Sequence, residues 1–394
     1  MQLIIMVAVY IAQNLLAIVL IDRCLNRWTF TAERAKRLRK YWLIPFILLS
    51  LLPVAGALLP DGGVKYALQA AGNIWLGFYV YFGGMLSFTL LLSLVVRKLS
   101  GGRLKKGWHG GILCLSVLVS LAVWVYGLHH AQQTVVVSHD LTVDKPAAEQ
   151  GETMNLVLIG DLHLSVNSRL STTQRMVELI NAENPDLVVI AGDIFTSSYG
   201  GLSRPDQYAE ALRGIRSKYG VYAVYGNHDV EEPLLGGFPL TPISQAFRIR
   251  QMEQFFEDSG FITLTDEVVT LPNGVQLAGR VDGEKAGDGT ANRMSAAELL
   301  KDVDPERPVL VLQHEPKDFR ALGEAGADVA LCGHTHAGQI FPGNLIVPLF
   351  NENAWGYRRL HGVDTFVTAG VGCYGPPMRV GTDSEVTVIH LTFK

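Results

Sequence analysis

Residues 154–163 read MNLVLIGDLH and residues 328–336 read DVALCGHTH. In both, an apolar run of strand length stops at a glycine and gives way to side chains that bind metals. Runs of four to six such residues, bounded by turn formers, predict buried strands. Two further runs have the same form, 186–190 leading to Gly192-Asp193 and 221–225 to Gly226-Asn227-His228-Asp229, and a third, 309–312, leads to Gln313-His314 without a glycine. Helical stretches at 172–184, 206–218 and 244–258 alternate with them, and Asn273-Gly274 between 268–271 and 275–278 marks a hairpin. The pattern predicts an α/β domain over 154–394.

In open α/β sheets the ligand site lies outside the carboxyl ends of the strands, so five polar strand ends can converge on one crevice. Of the eight histidines after residue 130, five fall in these clusters, beside Asp161, Asp193 and Asn227. The other three, His139, His361 and His390, read as structural. Mixed imidazole and carboxylate donors suit manganese, iron or zinc better than magnesium or calcium, which prefer oxygen. Eight or so ligand-type residues exceed one coordination sphere, so two divalent metal ions are expected.

The ordered series Asp-x-His, Gly-Asp, Gly-Asn-His-Asp, His and Gly-His-Thr-His resembles the calcineurin-like metallophosphoesterases over about residues 154–393. The run GHTHAGQ at 333–339 is similar to the bacterial membrane-associated branch, with Ala337 where that branch usually has glycine. The resemblance implies two facing mixed β-sheets flanked by helices. It also implies one metal held by Asp161, His163 and His336 and a second by Asn227, His314 and His334, with Asp193 bridging. His228 would then stand unliganded beside the leaving group, with Asp229 as the carboxylate that orients it.

Such a centre would hydrolyse a phosphoric ester by in-line attack of a metal-bridging hydroxide, without a phosphoenzyme, and His228 would protonate the departing oxygen. A phosphodiesterase or pyrophosphatase is the leading expectation. A phosphomonoesterase with the same site and a non-catalytic metal-binding sensor are the alternatives. Arg379 is expected to contact a substrate phosphate or to pair with a carboxylate, and Asn167, Tyr199 and Asp282 lie in or near loops able to border the crevice, with no role assigned to them.

The remaining chain is of another kind. Of 394 residues 48% are hydrophobic and 18% charged, and residues 1–130 hold 13 of the 33 Lys and Arg but 3 of the 37 Asp and Glu. Runs 3–21, 41–59, 74–96 and 112–128 carry no Asp, Glu, Lys or Arg and are about the length that crosses a bilayer. They predict a four-helix transmembrane anchor over 1–128, with a connector, carrying at most one strand, over 129–153. Gln13 and Asn14 are expected to bond between helices.

Twelve basic residues, Arg23 to Lys40 and Arg97 to Lys106, lie in the first and third loops, against Lys65 alone on the other side. The positive-inside rule puts those loops in the cytoplasm and the domain after residue 128 outside it, in a multi-pass protein of the cell membrane. The substrate is therefore expected at the membrane, where proximity favours a phosphorylated lipid; a cytoplasm-facing nucleotide-lipid pyrophosphatase is the alternative. The acidic second part has no basic run and gives no reason to expect nucleic-acid binding. Cys332 and Cys373 read as buried free thiols, with a disulfide between them as the alternative. The oligomeric state is not written in the sequence.

Overall fold

The computed structural model describes residues 2–28, 31–102, 107–147, 152–235 and 238–394. The chain forms two compact units. One comprises the helices up to His129 with Leu234–Leu240 and Gly375–Pro377; the other comprises His130–Pro233, Thr241–Tyr374 and Met378–Lys394.

The first unit contains α1 (Gln2–Trp28), α2 (Ala32–Leu58), α3 (Gly63–Leu99) and α4 (Trp108–His130), all long and apolar enough to cross a membrane. Their shared core is small: Ala17, Ile21, Cys24, Phe46, Tyr79, Phe82, Leu86 and Ile112 are buried together. Trp42, Phe46, Trp75 and Tyr79 form one aromatic cluster, so Trp42 and Trp75 are packing residues, whereas Tyr41 and Trp108 stay exposed. Gly72 lets α3 approach α2 closely, since a Cβ there would lie 3.0 Å from the Pro53 nitrogen. Thr89 Oγ1 meets Ser116 Oγ at 3.1 Å, tying α3 to α4.

Gln13 and Asn14 do not make the expected interhelical bonds. Gln13 is exposed, and Asn14 donates back to Tyr10 O at 2.8 Å, one turn earlier in its own helix. α1 is tied to α2 by the Tyr10 hydroxyl, which donates to Ser50 O, and by Arg39 Nε, which pairs with Asp22 Oδ2 at 3.1 Å. Arg103, Lys105 and Lys106 of the third loop lie outside the described residues.

In the second unit the elements run β1 (Thr134–Val143), β2 (Thr153–Ile159), α5 (Leu170–Ala182), β3 (Leu187–Ile190), α6 (Pro205–Arg213) and β4 (Val221–Ala223). The short ribbon of β5 (Leu234–Leu235) and β6 (Phe238–Pro239) belongs to the first unit, and the second resumes with α7 (Arg250–Asp258), β7 (Ile262–Thr263), β8 (Glu267–Thr270), β9 (Gln276–Gly279) and α8 (Ala296–Leu299). The chain ends with β10 (Val309–Leu312), α9 (Phe319–Glu324), β11 (Val329–Cys332), α10 (Gly343–Ile346), β12 (Gly356–Leu360), β13 (Val363–Val367) and β14 (Ser384–Phe393).

Two six-stranded mixed sheets result, in the orders β1-β14-β2-β3-β4-β7 and β12-β13-β11-β10-β9-β8. Alternation along the strands sets the layers. Leu156 and Leu158 of β2 pack with Leu310, Leu312, Val329 and Leu331 between the sheets. Val157 and Ile159 face the other way, onto Met176, Ile180, Leu212 and Phe256 of α5, α6 and α7. On the far side Val309, Val311 and Ala330 meet Leu299, Phe319 and Leu322 of α8 and α9. Two facing mixed sheets flanked by helices are thus the architecture of this unit.

The expected connector carries one strand, which joins the first sheet. β1 is ten residues long and pairs in parallel with β14 along its whole length, from Thr134 against Ser384 to Val143 against Phe393. Its short apolar run extends because β14 supplies backbone partners that the local sequence does not reveal. Residues 148–151 of the connector lie outside the described residues.

Candidate metal centre

Asp161 and His163 follow β2, Asp193 follows β3, Asn227 and His228 follow β4, His314 follows β10, and His334 and His336 follow β11. The parallel pairings β2–β3–β4 and β10–β11 bring these ends to the same edge of each sheet. All the strand-end residues singled out in the sequence meet there.

The backbone that aims them is unusual. Asp161, His163, Asp193, His334 and His336 all adopt the left-handed conformation, with φ between 44° and 76°. Each such non-glycine residue costs on the order of 1–2 kcal/mol, strain that functional sites commonly carry. Gly226 and Gly333 permit the approach of the turns. A Cβ on Gly226 would lie 2.2 Å from Asp193 Oδ1, and one on Gly333 2.6 Å from Asp161 Oδ2.

The donor atoms form two groups. In one, His163 Nε2 lies 2.9 Å from His336 Nε2, which is 3.6 Å from Asp161 Oδ1. In the other, Asn227 Oδ1 lies 2.9 Å from His314 Nε2 and 3.2 Å from His334 Nδ1. Asp193 Oδ2 touches both, 3.5 Å from His163 Nε2 and 3.2 Å from His314 Nε2. Ligands about 2.1 Å from a cation stand about 3.0–3.4 Å from one another, so these spacings fit the edges of coordination shells. Asp161, His163 and His336 form one grouping able to hold an ion, and Asp161, Asp193 and His314 another.

Charges agree with that fit. Burial pushes His163 down to about 4 and holds His336 well below its usual value; burial and the charge on His314 push His334 down to about 4. Neutral imidazole is the form that binds metal. Burial and the neighbouring Asp193 raise Asp161 to about 7, though His314 opposes them. His314 is different: burial disfavours its charge, but Asp193 outweighs burial and holds its pKa well above the usual value. Without a cation, His314 is the positive partner of Asp193. Its Nδ1–H donates to Ala191 O at 2.7 Å, which aims Nε2 at the centre.

His228 and His334 are half-buried, while the other site residues are buried. His228 Nδ1 lies 2.9 Å from Ser197 Oγ, whose hydroxyl donates to Glu232 Oε1 at 3.2 Å, and Lys285 Nζ pairs with Glu232. The Tyr374 ring packs on His228, with centroids 4.5 Å apart. Asp229, expected to orient His228, accepts instead from the backbone N–H of Phe195 and of Gly226, so both its oxygens hold the turn. Sequence spacing gave no signal for Ser197, Glu232, Lys285 or Tyr374, which come from four separate loops.

Arg379 makes neither expected contact. Its guanidinium is fully buried and donates to the carbonyls of Ala369, Gly370, Gly372 and Asp383, because the loop around it turns its oxygens inward. Asp282 is buried near the centre and caps its own turn through the N–H groups of Glu284 and Lys285. Asn167 and Tyr199 are half-buried. Cys332 and Cys373 are both free; Cys332 is buried, but Cys373 is only partly so, in a loop where its Sγ faces Met378 O. A further acidic grouping, Glu284, Glu315 and His334, already holds Lys317 Nζ between its two glutamates.

Residues 154–338 match the calcineurin-like phosphoesterase family model. A transmembrane protein with metallophosphoesterase domain from Bos taurus is 30% identical over 343 residues, covering 83% of this chain and 73% of that protein. One of the same description from Danio rerio is 32% identical over 293 residues, covering 70% of this chain; the chain spans only 62% of that relative's length. An uncharacterized metallophosphoesterase of Aquifex aeolicus is 27% identical over 276 residues, covering 70% of this chain and 98% of its own. With four membrane-length helices preceding a strand-end cluster of imidazoles and carboxylates, this chain belongs to the calcineurin-like phosphoesterases, metal-dependent hydrolases of phosphoric esters, as a membrane protein.

Proposed function

We infer that the protein is a dinuclear phosphoesterase that cleaves phosphodiester or pyrophosphate bonds of substrates at the membrane surface. The observation that carries this reading is the position of Asp193 Oδ2, within 3.5 Å of an imidazole nitrogen from each donor group. Asp161, His163 and His336 would hold one divalent ion and Asn227, His314 and His334 the other, with Asp193 shared. Donors of this chemistry favour manganese, iron or zinc. When bound, the ions supply an activated water and neutralise charge on the phosphoryl oxygens.

The chain's own groups do the rest. Withdrawal from water lowers His228 to about 3, so at neutral pH its ring is uncharged in the free protein. Its Nδ1–H donates to Ser197 and leaves the Nε2 lone pair facing outward. An anionic phosphoryl group beside the ring favours a proton on Nε2, and the path through Ser197 to Glu232 stabilises the resulting charge. Nε2 then gives that proton to the departing oxygen. Tyr374 keeps the ring in place and screens it from water.

The excess of basic residues in the first and third loops supports a catalytic unit outside the cytoplasm. Two measurements test the reading. Metal analysis of the active protein should give two ions per chain, with faster turnover of a diester than of a monoester in Mn²⁺; one ion at full activity sinks the dinuclear site. Carboxy-terminal fusions to a reporter active only outside the cytoplasm and to one fluorescent only inside should light the first, and the reverse result turns the site to the inner leaflet.

A further inference from the structure

From Ala337 to Asn351 the chain reads AGQIFPGNLIVPLFN, fifteen residues without a charge, immediately after His336. Among the described residues outside the four membrane helices, the only large apolar side chains more than 60% exposed are here: Leu345 at 61%, Leu349 at 76% and Phe350 at 80%. Within the helices the same range holds for lipid-facing positions such as Leu118 at 65%.

The segment is fixed, and its polarity is inverted. Gly338 and Gly343 pack backbone to backbone, and Phe341 N–H donates to Val380 O at 2.8 Å. The polar side chains turn inward: Asn344 donates to Gly381 O, Asn351 to Val347 O, and Asn353 to Gly356 O and Thr365 O. The apolar ones turn outward along α10 and the following 3-10 turn Val347–Leu349. A protein surface meant for water has the opposite arrangement, and apolar surface of this kind marks an interaction site.

The occupant follows from the rest of the chain. Four helices commit it to a bilayer, and only three residues separate the end of α4 at His130 from the start of β1 at Thr134, so the second unit begins within a few residues of the last membrane helix. Beyond the segment come exposed Trp355 and Tyr357 and the exposed basic pair Arg358 and Arg359. Aromatic rings and arginines beside an uncharged apolar stretch are the composition of a segment lying in the lipid interface, with the rings at headgroup level and guanidinium groups on phosphates.

We propose that residues 341–350 seat in the bilayer that α1–α4 span, as an interfacial contact separate from those helices. Leu345, Leu349 and Phe350 enter the acyl boundary, and Trp355 and Arg358 mark the headgroup level, while Arg359 pairs with Asp364. Because the segment leaves the centre directly after His336, it would set the height of the catalytic crevice above the lipid. The contact does not depend on what the enzyme hydrolyses.

Photo-crosslinking of the full chain in phosphatidylethanolamine–phosphatidylglycerol bilayers tests this. p-Benzoylphenylalanine replaces Leu349 or, in a second variant, Phe350; replacement of Leu118 is the positive control and of Lys301, on an exposed charged turn, the negative one. Illumination should add the mass of one phospholipid to the peptides carrying positions 349, 350 and 118, with at least tenfold less at 301. Lipid adducts at 118 but at neither 349 nor 350 overturn the proposal. So do protein–protein adducts in place of lipid at those two positions, which would give the surface to a second copy, or equal yields at 301 and 349.

Discussion

In α4, Ser116 and Ser120 are fully buried while Leu115, Leu118 and Leu121 beside them are exposed; in β2, Leu156 and Leu158 are fully buried. The same side chains take opposite places in the two units. Water drives leucine into the second unit, whereas lipid is as apolar as leucine and leaves helix association to small residues, close backbone approach and interhelical hydrogen bonds. The second unit can therefore bury carboxylates and imidazoles at the end of a strong apolar core. Among the described residues, the buried polar groups of the first are serines, one threonine and His109.

The sharpest way to break this contrast is at the shared carboxylate. Asp193→Asn should lower hydrolysis roughly 10⁴-fold or more, the scale for one member of a cooperating catalytic set, while insertion of the helices is unchanged. Elemental analysis should show fewer ions per chain; a variant with full metal and near-normal turnover refutes the bridging role.

His228→Ala should retain metal and lose about 10²-fold or more on an alkyl ester, with a much smaller loss on a nitrophenyl ester whose oxygen leaves without a proton. Glu232→Gln should follow the same leaving-group pattern at about tenfold, comparable to removing a residue that orients a ligand. Equal losses on both esters remove His228 from the leaving group, and an unchanged Glu232→Gln variant removes the path through Ser197.

Glycine substitutions compare the units directly. Gly226→Ala places a methyl on Asp193 and should cost about 1–3 kcal/mol of stability, with reduced metal uptake. Gly83→Ala in α3, where a Cβ meets nothing within 4 Å, should change stability by less than about 1 kcal/mol in either direction. Denaturation in detergent reads both, and similar costs would mean that the packing difference is not real.

The smallest effect is a proton count. Asp161, raised to about 7, is largely protonated at pH 6, and His314, held well above its usual value, is charged. His163 and His334, lowered to about 4, are already neutral. Ligands must bind without their protons, so metal uptake at pH 6 should release about two protons per chain and weaken as pH falls below 7. Titration calorimetry in two buffers of different ionisation enthalpy measures this; zero release contradicts the charge assignment.

The centre was legible because its residues sit at strand ends, where a linear pattern of apolar run, glycine and ligand reports spatial position. Asp161, His163, Asp193, Asn227, His334 and His336 carry that signature, His314 carries it with Gln313 in place of the glycine, and the structure brings them together. Ser197, Glu232 and Lys285 do not, since loops converge without a period that a sequence displays. Arg379 misled for a related reason: a lone arginine beside Pro376-Pro377 resembles a phosphate contact, but the loop's carbonyls, invisible as sequence, claim it. β1 was underestimated because its partner strand is remote.

That partner carries a consequence for biosynthesis. Thr134 pairs with Ser384, a separation of 250 residues, and β14 also lies between β1 and β2. At roughly 5–20 residues per second, the ribosome needs about 12–50 s to make that stretch. Throughout, β1 waits directly behind a completed α4 with no neighbour, and β2 lacks one of its two. The first sheet can close only when Ser384–Phe393 has emerged, so the second unit folds after the membrane helices are made.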